Sequence, residues 1–175
     1  MKRWISAIAT AAVLSGCTPL EPRDYAGEGP PLDLRAYFDG KVDGWGFVQD
    51  RSGRVTQRMA VEITASWQGD VGTLDEKFTH ADGRRESRVW TLRRDGARYI
   101  GTAGDVVGEA RGETAGPAFR WRYVLAVKRD NGETVNLDMD DWMWLVDGRT
   151  LGNRTEFSKF GIRLGEVTFF FRKRG

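Results

Sequence analysis

The chain has a single cysteine, Cys17, and a single histidine, His80, among its 175 residues. One cysteine excludes a disulfide bond within the chain. A Ser-His-Asp nucleophile would have to use His80, and no Gly-x-Ser-x-Gly turn accompanies it. His80 stands at the end of a predicted strand, before a turn, and we interpret it as a solvated loop residue. The sequence therefore offers little support for nucleophilic catalysis.

The chain also lacks an apolar run long enough to cross a membrane as a helix. Its N-terminal apolar stretch, residues 5–14, has about ten residues, against the roughly 20 that a bilayer requires. Lys2 and Arg3 precede this stretch, and Leu14-Ser15-Gly16-Cys17 ends it. This last motif resembles the lipobox of bacterial lipoproteins. The resemblance implies that residues 1–16 are a signal peptide and that cleavage occurs before Cys17.

It further implies that Cys17 carries diacylglycerol on its thiol and an acyl chain such as palmitate on its new amino group. Two or more acyl chains anchor a protein stably, because each buried CH₂ contributes about 0.8 kcal/mol. The residue after the cysteine is Thr18 and not Asp, which by analogy with enteric sorting favours the outer membrane. We therefore expect a lipid-anchored protein on the periplasmic face of the bacterial cell envelope, at the outer membrane. The alternative is an ordinary signal peptide with an incidental cysteine.

Charge of one sign is not in excess. The chain has 27 basic and 25 acidic residues, and Lys2 and Arg3 of the predicted signal peptide account for the difference. A balanced domain has no electrostatic attraction for nucleic acid, and we expect no nucleic-acid partner. The membrane, reached through the lipid anchor, and a lipid or other apolar small molecule are the partners that the sequence favours.

Proline is scarce beyond the N-terminal region, since every proline except Pro117 lies within residues 18–32. We interpret residues 17–32 as the lipidated cysteine followed by a flexible tether. Asp33 then stands where a helix N-cap is expected, before a single helical turn that would bury Leu34, Tyr37 and Phe38. The folded domain is therefore predicted to span residues 33–175.

From residue 45 onwards apolar and polar residues alternate, which is typical of half-buried strands. The clearest runs are residues 58–67, 119–128 and 167–172. The gaps between runs hold turn sequences such as RSGR, ADGR, RDGA, RDNG and VDGR, in which glycine supplies positive φ. Eight to ten strands joined by short hairpins predict an all-β, antiparallel up-and-down barrel of lipocalin-like type. A two-sheet sandwich is the alternative, disfavoured because Greek-key connections are long.

Several longer runs occur together in this sequence: YFDGKVDGWGFVQDRSGR, FTHADGRRESRVW, GDVVGEARGETAG, DDWMWLVDG, NRTEFSKFG and LGEVTFFFRK. Their order and spacing resemble an uncharacterised bacterial lipoprotein family, catalogued as domain of unknown function 3833. The resemblance covers nearly all of the chain beyond the predicted tether. It implies a lipoprotein with a lipocalin-like barrel. The family has no assigned activity, so the resemblance implies no catalytic residues.

Aromatic residues are the most informative class. We expect them either to fill the barrel or to line a pocket for an acyl chain or other apolar ligand. The candidates, together with one acidic residue, are Trp45, Trp67, Trp90, Trp121, Tyr123, Trp142 and Asp105. Trp45 stands in DGWGFVQDRSGR, whose Gly-x-Trp is similar to the lipocalin signature. This similarity predicts that Trp45 closes the barrel floor and that Trp45→Ala costs about 3–5 kcal/mol.

Acidic residues form two further groups. The first group is expected to pair internally with Arg88, Arg154 and Arg163, or to orient a ligand, and comprises Glu76, Asp105, Glu109 and Glu156. The second is Asp138, Asp140 and Asp141, which we interpret as a solvated outer face in preference to a Ca²⁺ site. We expect no metal and no cofactor.

Three functions remain open, in this order. The first is a membrane-anchored protein that binds or carries a lipophilic molecule. The second is an envelope structural or assembly protein with a packed core, acting through its surface. The third, which we rank last, is an enzyme acting on lipid or an isomerisable small molecule through Asp105, Glu76 or Tyr123.

Overall fold

A computed structural model describes residues 19–129 and 131–175. Ten antiparallel strands form a closed barrel in which each strand pairs with the next along the chain, and β1 pairs with β10. The prediction of an all-β up-and-down barrel is confirmed, and the sandwich is excluded. The strands are β1 Gly40–Asp50, β2 Val55–Gln68, β3 Val71–His80, β4 Arg85–Asp95, β5 Arg98–Thr102, β6 Val106–Ala115, β7 Ala118–Lys128, β8 Thr134–Leu145, β9 Thr150–Lys159 and β10 Ile162–Lys173.

The predicted turns join these strands. Gly53, Gly83, Gly96 and Gly132 all have positive φ, as tight hairpins require. The VDGR turn works differently. There the Asp147 carboxylate accepts hydrogen bonds from the backbone N–H groups of Arg149 and Thr150, each at 2.8 Å.

A short helix, α1 (Leu34–Phe38), closes one end of the barrel. The Asp33 carboxylate accepts hydrogen bonds from the backbone N–H groups of Arg35 and Ala36, which confirms the predicted N-cap. The apolar residues of α1, which are Leu34, Tyr37 and Phe38, are buried as predicted. They join a fully buried apolar layer that includes Leu92, Tyr99, Phe119 and Leu151. We call this the closed end, and the opposite end the open end.

The segment before α1 does not behave as a flexible tether over its described part. Residues 22–25 form a 3-10 turn against the outer wall of the barrel. The Glu21 carboxylate pairs with Arg120 at 3.0 Å and with Arg122 at 3.1 Å. Leu32 is buried, and its N–H donates to the carbonyl of Gly116 at 2.8 Å. The proline-rich composition suggested a flexible chain segment, whereas specific contacts with β6 and β7 hold the described part of this segment in place.

Trp45 lies on the outer wall, with 54% of its surface exposed, so the prediction that it closes the barrel floor is wrong. The inward positions of this part of β1 belong to Gly44 and Gly46, which are opposite Phe171 and Phe169 of β10. A Cβ at either glycine would approach these rings to 2.8 Å or less. The glycines therefore make room for two stacked phenylalanines, and alternation turns Trp45 outward.

Within the described ranges, no helix has the length and hydropathy needed to cross a membrane. The predicted signal peptide over residues 1–16 and the predicted lipidation site, Cys17, lie outside the described residues.

Candidate functional site

The barrel encloses a cavity of about 390 Å³ between the closed end and the open end. Small-molecule pockets commonly measure about 300–1,000 Å³, so this volume is that of a ligand site. Its walls come from the inward-facing positions of eight strands, β1–β4 and β7–β10, which alternate with outward-facing ones. The side chains that line this cavity include Met59, Glu76, Phe78, His80, Glu86, Arg88, Trp90, Trp121, Tyr123, Leu125, Val127, Leu137, Met139, Asp141, Asn153, Thr155, Phe157 and Val167.

Towards the open end, the wall of the cavity formed by β7–β10 is apolar. Its side chains, which we call the collar, are Leu125, Val127, Leu137, Phe157 and Val167, whereas the facing wall of β2–β4 carries Gln57, His80 and Glu86 at this end. In β7, β8 and β9 the collar residues stand one or two inward positions closer to the open end than the polar residues of the same strand, and Val167 of β10 is opposite Thr155 of β9. A ligand entering along this wall would therefore pass apolar surface first.

Deeper in the barrel is a group of polar side chains that we call the polar layer: Glu76, Arg88, Tyr123, Asp141, Asn153 and Thr155. Arg88 of β4 is its cation. The Arg88 Nε donates to both carboxylate oxygens of Asp105, at 3.0 and 2.9 Å, and Nη2 donates to one of them at 2.8 Å. The guanidinium also lies 5.8 Å from the Phe78 ring and 5.9 Å from the Trp90 ring. Arg88 is thus held from several sides.

Glu76 of β3 faces the cavity with only 14% of its side chain exposed. Its nearest cation is the Nη1 of Arg88, at 3.8 Å, which is beyond hydrogen-bond distance. Burial raises the pKa of Glu76 to about 7, an effect that the Arg88 charge opposes and the Asp141 and Asp105 charges reinforce. Near neutral pH this carboxyl therefore exchanges between acid and carboxylate.

Asp141 of β8 is buried among hydrogen-bond donors. The Trp121 Nε1 donates to it at 3.1 Å, the Tyr123 hydroxyl contacts the same oxygen at 3.5 Å, and Asn153 donates to the other oxygen. Burial nevertheless dominates and raises the pKa of Asp141 to about 6. Burial also raises the pKa of Tyr123 well above its usual value, with the Asp141 charge as the next cause, so the phenol stays protonated.

The interpretation of Asp141 as part of a solvated face is wrong, whereas Asp138 and Asp140 do lie on the outer side of β8. Because Asp140 and Asp141 are adjacent in a strand, they must point to opposite faces. The neighbouring inward residues Met139 and Met143 carried the information that Asp141 faces the core. Among the described residues, no group of three or more His, Cys, Asp or Glu side chains is arranged to hold a metal ion.

His80 is also buried, with 7% of its surface exposed, so the interpretation as a solvated loop residue is wrong. It is the last residue of β3 and faces inward because Glu76 and Phe78 precede it at alternate positions. Its Nε2 lies 3.3 Å from a carboxylate oxygen of Glu86. Neither ring nitrogen makes a hydrogen bond within the part of the chain that the structure describes.

Three of the candidate lining residues, Trp90, Trp121 and Tyr123, lie together in the wall of the cavity. The Trp90 and Trp121 rings lie 4.7 Å apart, and the Tyr123 ring contacts both, at 5.4 and 5.7 Å. Trp67 packs against the core over Gly72, away from the cavity lining. Asp105 lies in the turn before β6 and reaches the cavity through Arg88.

Trp142 lies on the outer wall of the barrel, although we expected it to line a ligand pocket or fill the barrel core. It stacks on Trp144 with ring centroids 5.5 Å apart, and the Arg120 guanidinium lies 4.7 Å from its ring. The Tyr25 ring contacts it edge-on at 6.1 Å, so Trp142 forms part of the surface that holds the N-terminal segment.

The remaining predicted ion pairs are divided between the two faces. Arg88 pairs inside with Glu76 and Asp105. The other pairs are Arg163 with Glu156, Arg154 with Glu166, and Arg111 with Glu109. An Arg–carboxylate network was therefore expected correctly for Arg88, while the partner of Arg154 was not among the residues named.

These features define a class: a closed ten-stranded barrel whose interior holds a ligand-sized cavity, with an apolar wall on β7–β10 near its mouth and polar side chains at mid-depth. The chain belongs to the family described as protein of unknown function (DUF3833), whose model matches residues 11–173. No curated protein matches the sequence.

Proposed function

We propose that the barrel binds a lipophilic small molecule in its cavity and that the protein does so as a lipid-anchored component of the bacterial envelope. The observation that carries this proposal is the collar, because its five apolar side chains line part of a cavity of about 390 Å³ that residues 19–129 and 131–175 leave unfilled. Apolar surface in contact with water is unfavourable by about 25 cal/mol per Å². Covering it with an apolar ligand would supply binding free energy.

The same observation weakens the alternative of an envelope assembly protein with a packed core. Such a protein would act through its surface and would gain nothing from an internal cavity. Here only the closed end is packed in this way, with Leu34, Phe119 and Leu151 almost wholly inaccessible.

The lipid anchor is supported by the lipobox-like motif that ends at Cys17 and by the position of the segment that follows. The carbonyl of Leu20 accepts a hydrogen bond from Arg120 at 2.8 Å, on the outer wall of the barrel. Two residues, Thr18 and Pro19, lie between Cys17 and Leu20, and three residue steps span at most about 10 Å of extended chain. A lipid on Cys17 would therefore hold the barrel wall close to the membrane surface.

The test of ligand binding is tryptophan fluorescence of the full-length protein titrated with the eight-carbon compounds 1-octanol and methyl octanoate. Quenching or enhancement that saturates is expected, because Trp90 and Trp121 line the cavity. Leu137→Trp would fill the collar and should abolish saturation, whereas Val89→Trp, at an exposed position of β4, should not.

Native mass spectrometry of protein purified from its own envelope provides the second test. A bound lipid that Leu137→Trp loses and Val89→Trp keeps is the expected result. Absence of binding by both methods would contradict the proposed function. An unacylated Cys17 in the same spectra would contradict the anchor alone.

A further inference from the structure

Building on the proposed function, we infer that the ligand is an amphiphile that enters polar end first, and that this polar end is a hydrogen-bond donor, such as a hydroxyl, amine or amide group, that binds to the Glu76 carboxylate. A fatty-acid anion or other negatively charged head group would not fit this site.

The orientation follows from the order of the layers. Along β7 the inward residues run from Phe119 at the closed end through Trp121 and Tyr123 to Leu125 and Val127 near the open end. The polar layer is thus deeper than the collar. A ligand with its tail directed inward would cover the Glu76 carboxylate with hydrocarbon and add no hydrogen bond to it, which costs free energy.

The exclusion of an anionic head group follows from the contacts that the Arg88 guanidinium already makes. Arg88 is the one Arg or Lys side chain among the described residues that line the cavity. Three hydrogen bonds of 2.8–3.0 Å join its Nε and Nη2 to Asp105, so this edge of the guanidinium is already occupied by a carboxylate. An anionic head group would have to displace Asp105 or compete for Nη1 with the Glu76 carboxylate, which lies 3.8 Å from it.

The preference for a donor follows from which acceptor is free. Asp141 already receives hydrogen bonds from Trp121 and Asn153. Glu76 is 3.8 Å from Arg88, its side chain faces the cavity, and Trp90 is the one side chain among the described residues that hydrogen-bonds to it. A carboxylate accepts up to about four hydrogen bonds, so Glu76 has capacity that a hydroxyl or ammonium group would use.

His80 supports the assignment of this cavity as a ligand site. Its ring is more than nine-tenths buried and faces the cavity; its Nε2 lies 3.3 Å from the Glu86 carboxylate, and its Nδ1 has no hydrogen bond within the described ranges. Buried polar atoms in folded proteins almost always have partners. His80 is at the open end of β3, two inward positions from Glu76, where it would contact an atom of the bound molecule beyond its head group.

The test compares four eight-carbon probes on the full-length protein at pH 8.5: 1-octanol, octylamine, methyl octanoate and octanoate. We expect 1-octanol and octylamine to bind at least about tenfold more tightly than octanoate, the scale of one hydrogen bond to a charged group. Glu76→Gln should bring this ratio close to one. Glu113→Gln, the same chemical change on the exposed side of β6, should leave it unchanged.

A second measurement needs no variant. Lowering the pH from 8.5 to 5.5 protonates Glu76, so the advantage of octylamine over methyl octanoate on the wild-type protein should fall. The other charged or titratable side chains that line the cavity around Glu76, or contact Arg88 there, are His80, Glu86, Arg88, Asp105, Tyr123 and Asp141.

The outcomes separate the two proposals. Octanoate binding as tightly as 1-octanol, or a ratio that Glu76→Gln does not change, would overturn the head-group assignment and leave the proposed function standing. Failure of all four probes to bind would overturn both.

Discussion

The two ends of the barrel differ in what their inward side chains are. At the closed end they are apolar and almost fully inaccessible, as for Tyr99, Phe119 and Leu92. Towards the open end the same strands carry Glu76, Arg88 and Asp141 around a cavity. One alternating pattern therefore serves two purposes along a single barrel axis. The closed end supplies burial that stabilises the fold, and this allows the other half to keep buried charges and empty volume, both of which cost free energy.

The largest effect is expected at the closed end. Phe119 is 0% exposed, and its ring lies 5.6 Å from Tyr99 and 5.4 Å from Trp121. Phe119→Ala should lower the free energy of unfolding by about 3–5 kcal/mol, measured by urea denaturation. Phe170→Ala on the outer wall is the matched control and should cost under about 1 kcal/mol. A cost below about 2 kcal/mol for Phe119→Ala would mean that the closed end is not the main source of stability.

The second effect tests the polar layer through pH. Burial raises the pKa of Glu76 from 4.5 to about 7 in the folded protein, so between these values the folded state binds more protons than the unfolded state. The contribution of Glu76 to stability therefore falls as pH rises from about 4.5 through about 7, by about 3 kcal/mol. Glu76→Gln should make this decline shallower and leave the part that comes from the raised pKa of Asp141, while Glu113→Gln should preserve the whole decline. Identical pH profiles for Glu76→Gln and wild type would show that Glu76 titrates normally.

The third effect concerns the glycines beneath the two phenylalanines. A Cβ at Gly46 would lie 2.5 Å from the carbonyl oxygen of Thr168 and 2.7 Å from the Phe169 ring. Gly46→Ala should cost about 1–3 kcal/mol, because a backbone atom cannot move aside easily. Gly152→Ala, with no atom within 4 Å of the added Cβ, should change stability by less than about 0.5 kcal/mol. Equal thermal unfolding midpoints for the two variants would contradict this explanation.

The smallest effect is expected for the residue that the sequence suggested as the barrel floor. Trp45 is 54% exposed and pairs across the strands with the equally exposed Phe170. Trp45→Ala should cost less than about 1 kcal/mol, the scale of one cross-strand pair. Trp121→Ala should cost several times more. If the two variants were equally destabilised, Trp45 would have to be buried in solution.

Much of the fold could be predicted because it depends on local patterns. Period-two alternation identified the strands, turn glycines identified most hairpins, and Asp33 identified the start of α1. The assignment of faces failed in β1, where bulk was taken to mean burial. Gly44 and Gly46 face inward there because β10 supplies the rings that fill the space. A rule applied to one strand cannot include what the neighbouring strand contributes.

The candidate site was predicted only in part for the same reason. Trp90, Trp121 and Tyr123 were expected to be lining residues, and Glu76 and Asp105 were expected to pair with Arg88. Asp141 and His80 were taken for solvated residues because each is next to polar neighbours or a turn. Their burial depends on the closure of the barrel around them.

By itself, the sequence determined that this chain forms an antiparallel β-barrel, since alternation and turn residues act over a few positions. Only the tertiary structure decided which side chains share the interior and how much space they leave. Pairing β1 with β10 joins residues more than 120 positions apart, as in Gly46 and Phe169. Whether a buried carboxylate meets a cation, another acid or an empty volume depends on such distant pairings, because electrostatic and packing energies act through space and not along the chain.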